Sequence, residues 1–95
     1  MFAYLKGTFT YKSPNVVHLD VNGVGYEVQV TLNTYGKIQH LQQGTLFTHL
    51  IIKEDAHILY GFVEQAEKEV FLQLLSVSGV GASTARMMLS SLQPG

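Results

Sequence analysis

Val16-Val17-His18-Leu19-Asp20-Val21-Asn22-Gly23-Val24-Gly25-Tyr26-Glu27-Val28-Gln29-Val30 is the stretch on which the fold turns. Two runs rich in β-branched residues, which suit the pleated surface of a strand, flank Asn22-Gly23. Both turn residues tolerate the positive φ that a tight two-residue hairpin demands of them. The return run alternates, with Tyr26, Val28 and Val30 on one face and Glu27 and Gln29 on the other. That period of two marks a half-buried strand.

Outward from this hairpin the strand signals continue. Phe2, Tyr4 and Leu5, then Phe9 and Tyr11, form a preceding strand that ends at the turn residues Ser13-Pro14-Asn15. Beyond Val30 the pattern changes. Tyr35, Ile38 and Leu41 have helical spacing, with Asn33 or Thr34 as the cap and Gly36 weakening the helix. Gln43-Gly44 stops it. Thr45 to Ile52 and His57 to Phe62 are the fourth and fifth strands, joined by the charged turn Lys53-Glu54-Asp55-Ala56. Five short strands with one small helix before the fourth fit a small β-barrel of the oligonucleotide/oligosaccharide-binding (OB) type. Another five-stranded barrel or an open sheet fits the same pattern.

After Gly61 the period becomes helical. Ala66, Val70, Phe71, Leu74 and Leu75 make an apolar stripe, while Glu64, Glu67, Lys68 and Glu69 are polar. The acids sit in the first turns, where the helix dipole favours them. Val77-Ser78-Gly79-Val80-Gly81 breaks this helix. A second helix from Ala82 to Leu92 places Ala85, Met88, Leu89 and Leu92 on one face. The expected division is a barrel over residues 1–62 and a partial helical domain over 63–95.

Composition bounds the function. The 95 residues are 46% hydrophobic and 14% charged, a globular balance, and the net charge is −1. A nucleic-acid binder usually carries a basic surplus, so DNA binding by this chain must rest on backbone geometry and a few placed cations. With no cysteine there is no thiolate zinc site and no cysteine nucleophile. No apolar run approaches the roughly 18 residues of a membrane span, and the N-terminus lacks the form of a signal peptide. A cytoplasmic protein with no membrane partner is expected.

Leu74 to Ala85 carries the most informative chemistry. An amphipathic helix, a Gly-Val-Gly bend and a second helix form the pattern of a helix-hairpin-helix. Gly79 and Gly81 let the chain turn sharply and let a phosphate approach the backbone. The first amides of the second helix, at Ala82, Ser83 and Thr84, lack internal partners, and the helix dipole adds positive potential there. Val80 fills the gap between the helices, Ser83 and Thr84 offer hydroxyls, and Arg86 is the nearest cation. An ordinary helical turn with a glycine C-cap is the competing reading. Phosphate binding of this kind is independent of base sequence.

Other motifs carry little. Gly23-Val24-Gly25 follows a hairpin turn and opens no helix. His18, His40, His49 and His57 are scattered without ligand spacing, so no metal site is expected. There is no P-loop and no nucleophile–base arrangement, so no catalytic residue is assigned. Tyr4, Tyr11, Tyr26, Tyr35 and Tyr60 are read as barrel staves and rim in preference to base-stacking platforms.

Three blocks of this sequence resemble the RuvA family. They are Met1-Phe2-Ala3-Tyr4-Leu5-Lys6-Gly7; Val21 to Val28 together with Lys53-Glu54-Asp55-Ala56 and Leu59-Tyr60-Gly61-Phe62; and Phe71 through Gly81 with Ala85. They span the chain in the family's order. The resemblance implies an OB barrel followed by a helical domain with two helix-hairpin-helix motifs, of which this chain holds the first. A second motif, a linker and a small C-terminal domain would lie outside it. It further implies a non-catalytic scaffold for four-way (Holliday) junction DNA in recombination and repair, working as a homotetramer or, with two tetramers on one junction, an octamer. A hexameric motor, RuvB, would bind the absent C-terminal domain and use the ATP of the helicase complex, so this chain needs no cofactor of its own. Glu54 and Asp55 match the family's acidic pin, and Gly79, Val80, Gly81, Ala82 and Ser83 fall at the backbone contacts. The family often has proline and lysine where Ala82 and Ser83 stand, and losing that cation weakens phosphate affinity. A generic single-strand-binding module and a protein oligomerisation module remain as alternatives.

Overall fold

The computed structural model describes residues 2–91. Five strands, β1 (Tyr4–Lys12), β2 (Val16–Val21), β3 (Val24–Val30), β4 (Gln43–Ile52) and β5 (His57–Phe62), close into a barrel in the order β1-β2-β3-β5-β4. Only β3 and β5 run parallel; the other pairs are antiparallel. Helix α1 (Leu32–Ile38) lies between β3 and β4, and α2 (Gln65–Leu75) and α3 (Ala82–Ser91) follow the barrel. This is the five-stranded OB architecture, with helices appended to it.

The hairpin that decides the fold forms as its residues require. Asn22 and Gly23 both have positive φ, 53° and 89°, and Val21 pairs with Val24 across the turn. The Asp20 carboxylate accepts from the Gly23 amide at 2.9 Å, locking the bend. Val28 and Val30 point into the core with Leu5, Phe9, Val17, Leu19, Ile38 and Leu46, while Tyr26 packs at its edge.

Closure forces β1 to serve two neighbours. Its first half pairs with β4 and its second with β2, and the β2 pairing carries an irregularity between Phe9 and Tyr11. Gly7 sits where the strand passes from one partner to the other. A Cβ there would lie 2.1 Å from the Asp20 carbonyl oxygen, so only glycine permits the approach.

Helix α1 is capped two to three residues earlier than its local sequence suggests. Its cap is Thr31, whose hydroxyl accepts from the Thr34 amide, and neither Asn33 nor Thr34 caps it. The Val30 strand end fixes the entry, and Thr31 is then the first hydroxyl able to reach the orphan amides. Leu41 falls beyond the helix and is exposed. At the other end Lys12 of β1 donates to the carbonyls of Ile38, Gln39 and Leu41 at 3.2, 2.9 and 2.6 Å. A lysine distant in sequence thus satisfies the helix's last acceptors.

A second core joins helices to barrel. Phe71 of α2 is fully buried between Tyr60 and Phe62 of β5, with ring centroids 5.1 and 5.0 Å apart, and Ala85 and Leu89 of α3 complete the cluster. The buried stripe is narrower than the sequence pattern. Leu74 and Leu75 pack half-buried against the cluster as the stripe requires, whereas Ala66, Val70 and Met88 are exposed, because the cluster is centred on Phe71, Ala85 and Leu89. Leu92 lies outside the described residues.

Glu67 organises the seam between the helices. Its carboxylate accepts from the Thr31 and Thr34 hydroxyls, each at 2.9 Å, and from the Asn33 amide at 3.2 Å. Asn33 donates also to the Leu89 carbonyl, and the Ser90 hydroxyl accepts from the Leu32 amide. An acid whose position suggests a solvated first-turn residue is instead the anchor between α1 and α2.

Candidate nucleic-acid interface

The bend between α2 and α3 is built by winding and release. Ser76 and Val77 donate back into the last turn of α2, and the Val80 amide donates to the Val77 carbonyl at 3.1 Å. Gly79 has φ 86°, a left-handed conformation that side chains disfavour. Val80 and Ala82 pack against the second core, so this valine ties the bend to the barrel. The chain then enters α3, whose first internal bond runs from the Ala85 amide to the Gly81 carbonyl at 2.9 Å.

Gly79, Gly81, Ser83 and Thr84 are exposed, and a Cβ at either glycine would meet open space. Among the described residues, the amides of Gly79, Gly81, Ala82, Ser83 and Thr84 make no hydrogen bond to protein. Five unpartnered donors, from the bend to the first turn of a helix, form a surface that can receive an anion. Val80 differs from its neighbours because its amide is already engaged.

Arg86 is tied to the barrel through one of its nitrogens. One guanidinium nitrogen donates to the Gln29 side-chain oxygen at 2.8 Å and to the Asn15 carbonyl at 3.1 Å. It therefore straps α3 to β3 and to the turn before β2, with its remaining N–H groups unpartnered among the described residues.

Glu54 and Asp55 lie at the tip of the β4–β5 hairpin, which the Lys53 amide and Ala56 carbonyl close at 2.7 Å. Both are exposed. The ion pairs among the described residues are His18 with Glu27 at 3.6 Å and Lys37 with Glu64, so the two tip carboxylates present uncompensated negative charge. Several cations are already engaged: Lys12 at the end of α1, Lys37 on Glu64 and Arg86 on the barrel. A local anion site here must draw mainly on amides.

An open cleft of about 720 Å³ has Lys53 and His57, which flank the acidic hairpin tip, and Ser83 and Arg86 of α3 together in its lining. Sequence reasoning did not bring these residues together; they lie on elements far apart in the chain.

His49 of β4 sits in the seam below α2, its ring edge-on to Phe71 at 6.3 Å. Burial, reinforced by the nearby charge of Lys68, holds its pKa below the usual 6.5. Among the described residues no three His, Asp or Glu side chains converge as a metal site, and no helix is long and apolar enough to cross a membrane.

A closed OB barrel with two helices docked on its β4–β5 side, joined by an exposed glycine bend, defines a class: OB-barrel proteins that carry a helical appendage. Within that class the chain belongs to the RuvA N-terminal domain family, whose family model matches residues 1–61. Curated relatives support the same assignment along nearly all of its length. The Holliday junction branch migration complex subunit RuvA of Flavobacterium psychrophilum is 55% identical over 94 residues, that of Christiangramia forsetii 51% and that of Cytophaga hutchinsonii 46%, each over 99% of this chain. The chain spans about half the length of these relatives, 49%, 49% and 47% respectively.

Proposed function

We propose that this chain is the junction-facing part of a non-catalytic scaffold that recognises four-way DNA and supports branch migration. The observation that carries this reading is 46–55% identity, over 99% of the chain, to proteins named as Holliday junction branch migration complex subunits. The site offers matching chemistry. The Gly79–Thr84 amides seat the sugar-phosphate chain, aided by the Ser83 and Thr84 hydroxyls and the unpartnered N–H groups of Arg86. Val80 acts by packing. This geometry reads backbone and leaves base sequence unread.

Glu54 and Asp55 act through charge. Set where strands exchange, their carboxylates repel phosphates and disfavour continuous duplex across the centre. In a homotetramer four such tips meet around the crossover, and two tetramers enclose a junction as an octamer. The chain contributes no reacting group and holds no cofactor. ATP is spent by a separate motor of the RuvB type, which engages a part of the longer protein outside this chain. The working compartment is the cytoplasm, where chromosomal junctions arise.

Gel shifts on a four-way junction test the phosphate seat. Gly79→Val strains a positive-φ position, whereas Gly81→Val fills open space with no such strain. Both are expected to abolish junction binding while the barrel stays folded. Retained affinity in both variants refutes the seat. Glu54→Gln with Asp55→Asn is expected to tighten binding to plain duplex and to erode junction preference; an unchanged preference removes the pin role.

A further inference from the structure

We infer that the cleft between the acidic hairpin and α3 is a binding site for one unpaired nucleotide, taking the base against its aromatic wall and the phosphate at its cationic rim. The inference deepens the junction reading, which it relies on for the source of unpaired DNA beside the hairpin tip. Three observations carry it.

The first is size. At about 720 Å³ the cleft falls within the roughly 300–1,000 Å³ of small-ligand sites. The second is the wall. Tyr26 and Phe2 line it and brace each other edge to face, centroids 5.8 Å apart at 71°. Tyr26 is held by the core beneath it. A braced aromatic is a stacking platform, and stacking needs the face of a base, which a duplex keeps covered. The third is charge. Lys53 and Arg86 both belong to the lining, against one acid, Glu27. In a chain of net charge −1 the lining itself carries a formal surplus of one positive charge. Arg86 is already oriented by Gln29 and Asn15 through one nitrogen, which leaves further N–H donors for a phosphate at little entropic cost.

The placement gives the site a use. Two of its lining residues, Lys53 and His57, flank Glu54 and Asp55 in sequence, and a third, Ser83, belongs to the first turn of α3. A base released from pairing beside the hairpin therefore has a pocket whose lining includes a residue of the proposed phosphate seat.

Fluorescence anisotropy with a labelled oligothymidylate of about eight nucleotides, a length typical of OB sites, tests this on the whole chain, with a four-way junction measured in parallel. Saturable binding of the oligonucleotide is expected. Tyr26→Leu should weaken it about tenfold, the low end of what one base–aromatic stack supplies. Tyr26→Phe should restore it. Amide chemical-shift mapping on the unsubstituted protein should move Tyr26, Lys53, Ser83 and Arg86, and this holds as a test even if Tyr26→Leu fails to fold. No oligonucleotide binding, indifference to Tyr26→Leu, or shifts confined to another face overturns the site. Tyr26-dependent oligonucleotide binding without junction binding keeps the site and removes the junction reading.

Discussion

Replacing Glu67 by alanine removes the acceptor on which three donors of α1 converge, and its cost follows from their burial. Thr31 and Thr34 have no exposed surface, and their hydroxyls donate only to this carboxylate. Each also accepts, Thr31 from the Thr34 amide and Thr34 from the Val63 amide, so neither can turn away without breaking a second bond. A buried donor left without an acceptor costs about 1–3 kcal/mol. Two of them, less the solvation the carboxylate recovers on removal, give about 2–4 kcal/mol. Against a total of roughly 5–15 kcal/mol for a small domain, that is a large fraction. With a urea slope of about 2 kcal/mol per molar, the middle of the usual range, the unfolding midpoint should fall by about 1–2 M at unchanged slope. Glu69→Ala, at an exposed position two residues on, is the control and should stay within about 0.5 kcal/mol. A double-mutant cycle with Thr34→Val isolates the pairwise part, since valine removes the stranded hydroxyl and should recover part of the loss. If Glu67→Ala costs no more than Glu69→Ala, the carboxylate is a surface acid and the clamp does not operate.

Two further outcomes follow from the barrel. Gly61→Ala places a Cβ 2.5 Å from Val28 Cγ1 and 3.2 Å from Leu46 Cδ1, so overpacking should cost about 1–3 kcal/mol; the added substitution Val28→Ala should recover part of it, and a wild-type thermal midpoint for Gly61→Ala would contradict the contact. His49 sets a pH dependence. Its folded pKa lies below the ordinary 6.5, so the unfolded chain binds more protons between the two values. The contribution of the neutral imidazole is therefore intact above about pH 6.5 and is lost as pH falls through the lowered value. Imidazole NMR titration should place the His49 midpoint below 6.5, and His49→Gln should flatten this part of the stability profile. A His49 midpoint at or above 6.5 would refute the burial argument.

Much of the barrel was legible because its signals are local. Asn22-Gly23 names its turn, and the alternation from Tyr26 to Val30 names the buried face; both depend on neighbours one or two residues apart. The strand count, the helix before β4 and the bend at Gly79–Gly81 follow in the same way. The α1 cap was misplaced because Thr31, Asn33 and Thr34 are all competent caps, and the choice among them depends on where β3 ends in the closed sheet. The apolar stripe of α2 was drawn too wide because periodicity states which residues share a side, and only the partner surface states how much of that side is covered.

Residue types read along the chain already set the strands, their turns, the two late helices and the family resemblance, because each of these depends on neighbours at short range. That Glu67 is an anchor, that Lys12 closes α1, that Arg86 straps α3 to the barrel, and that Lys53 and Arg86 line one cleft came from the folded arrangement alone. Those outcomes join residues separated by 26 to 71 positions, and a hydrogen bond or a shared cavity over that separation exists only after closure of the sheet has fixed where each strand end points.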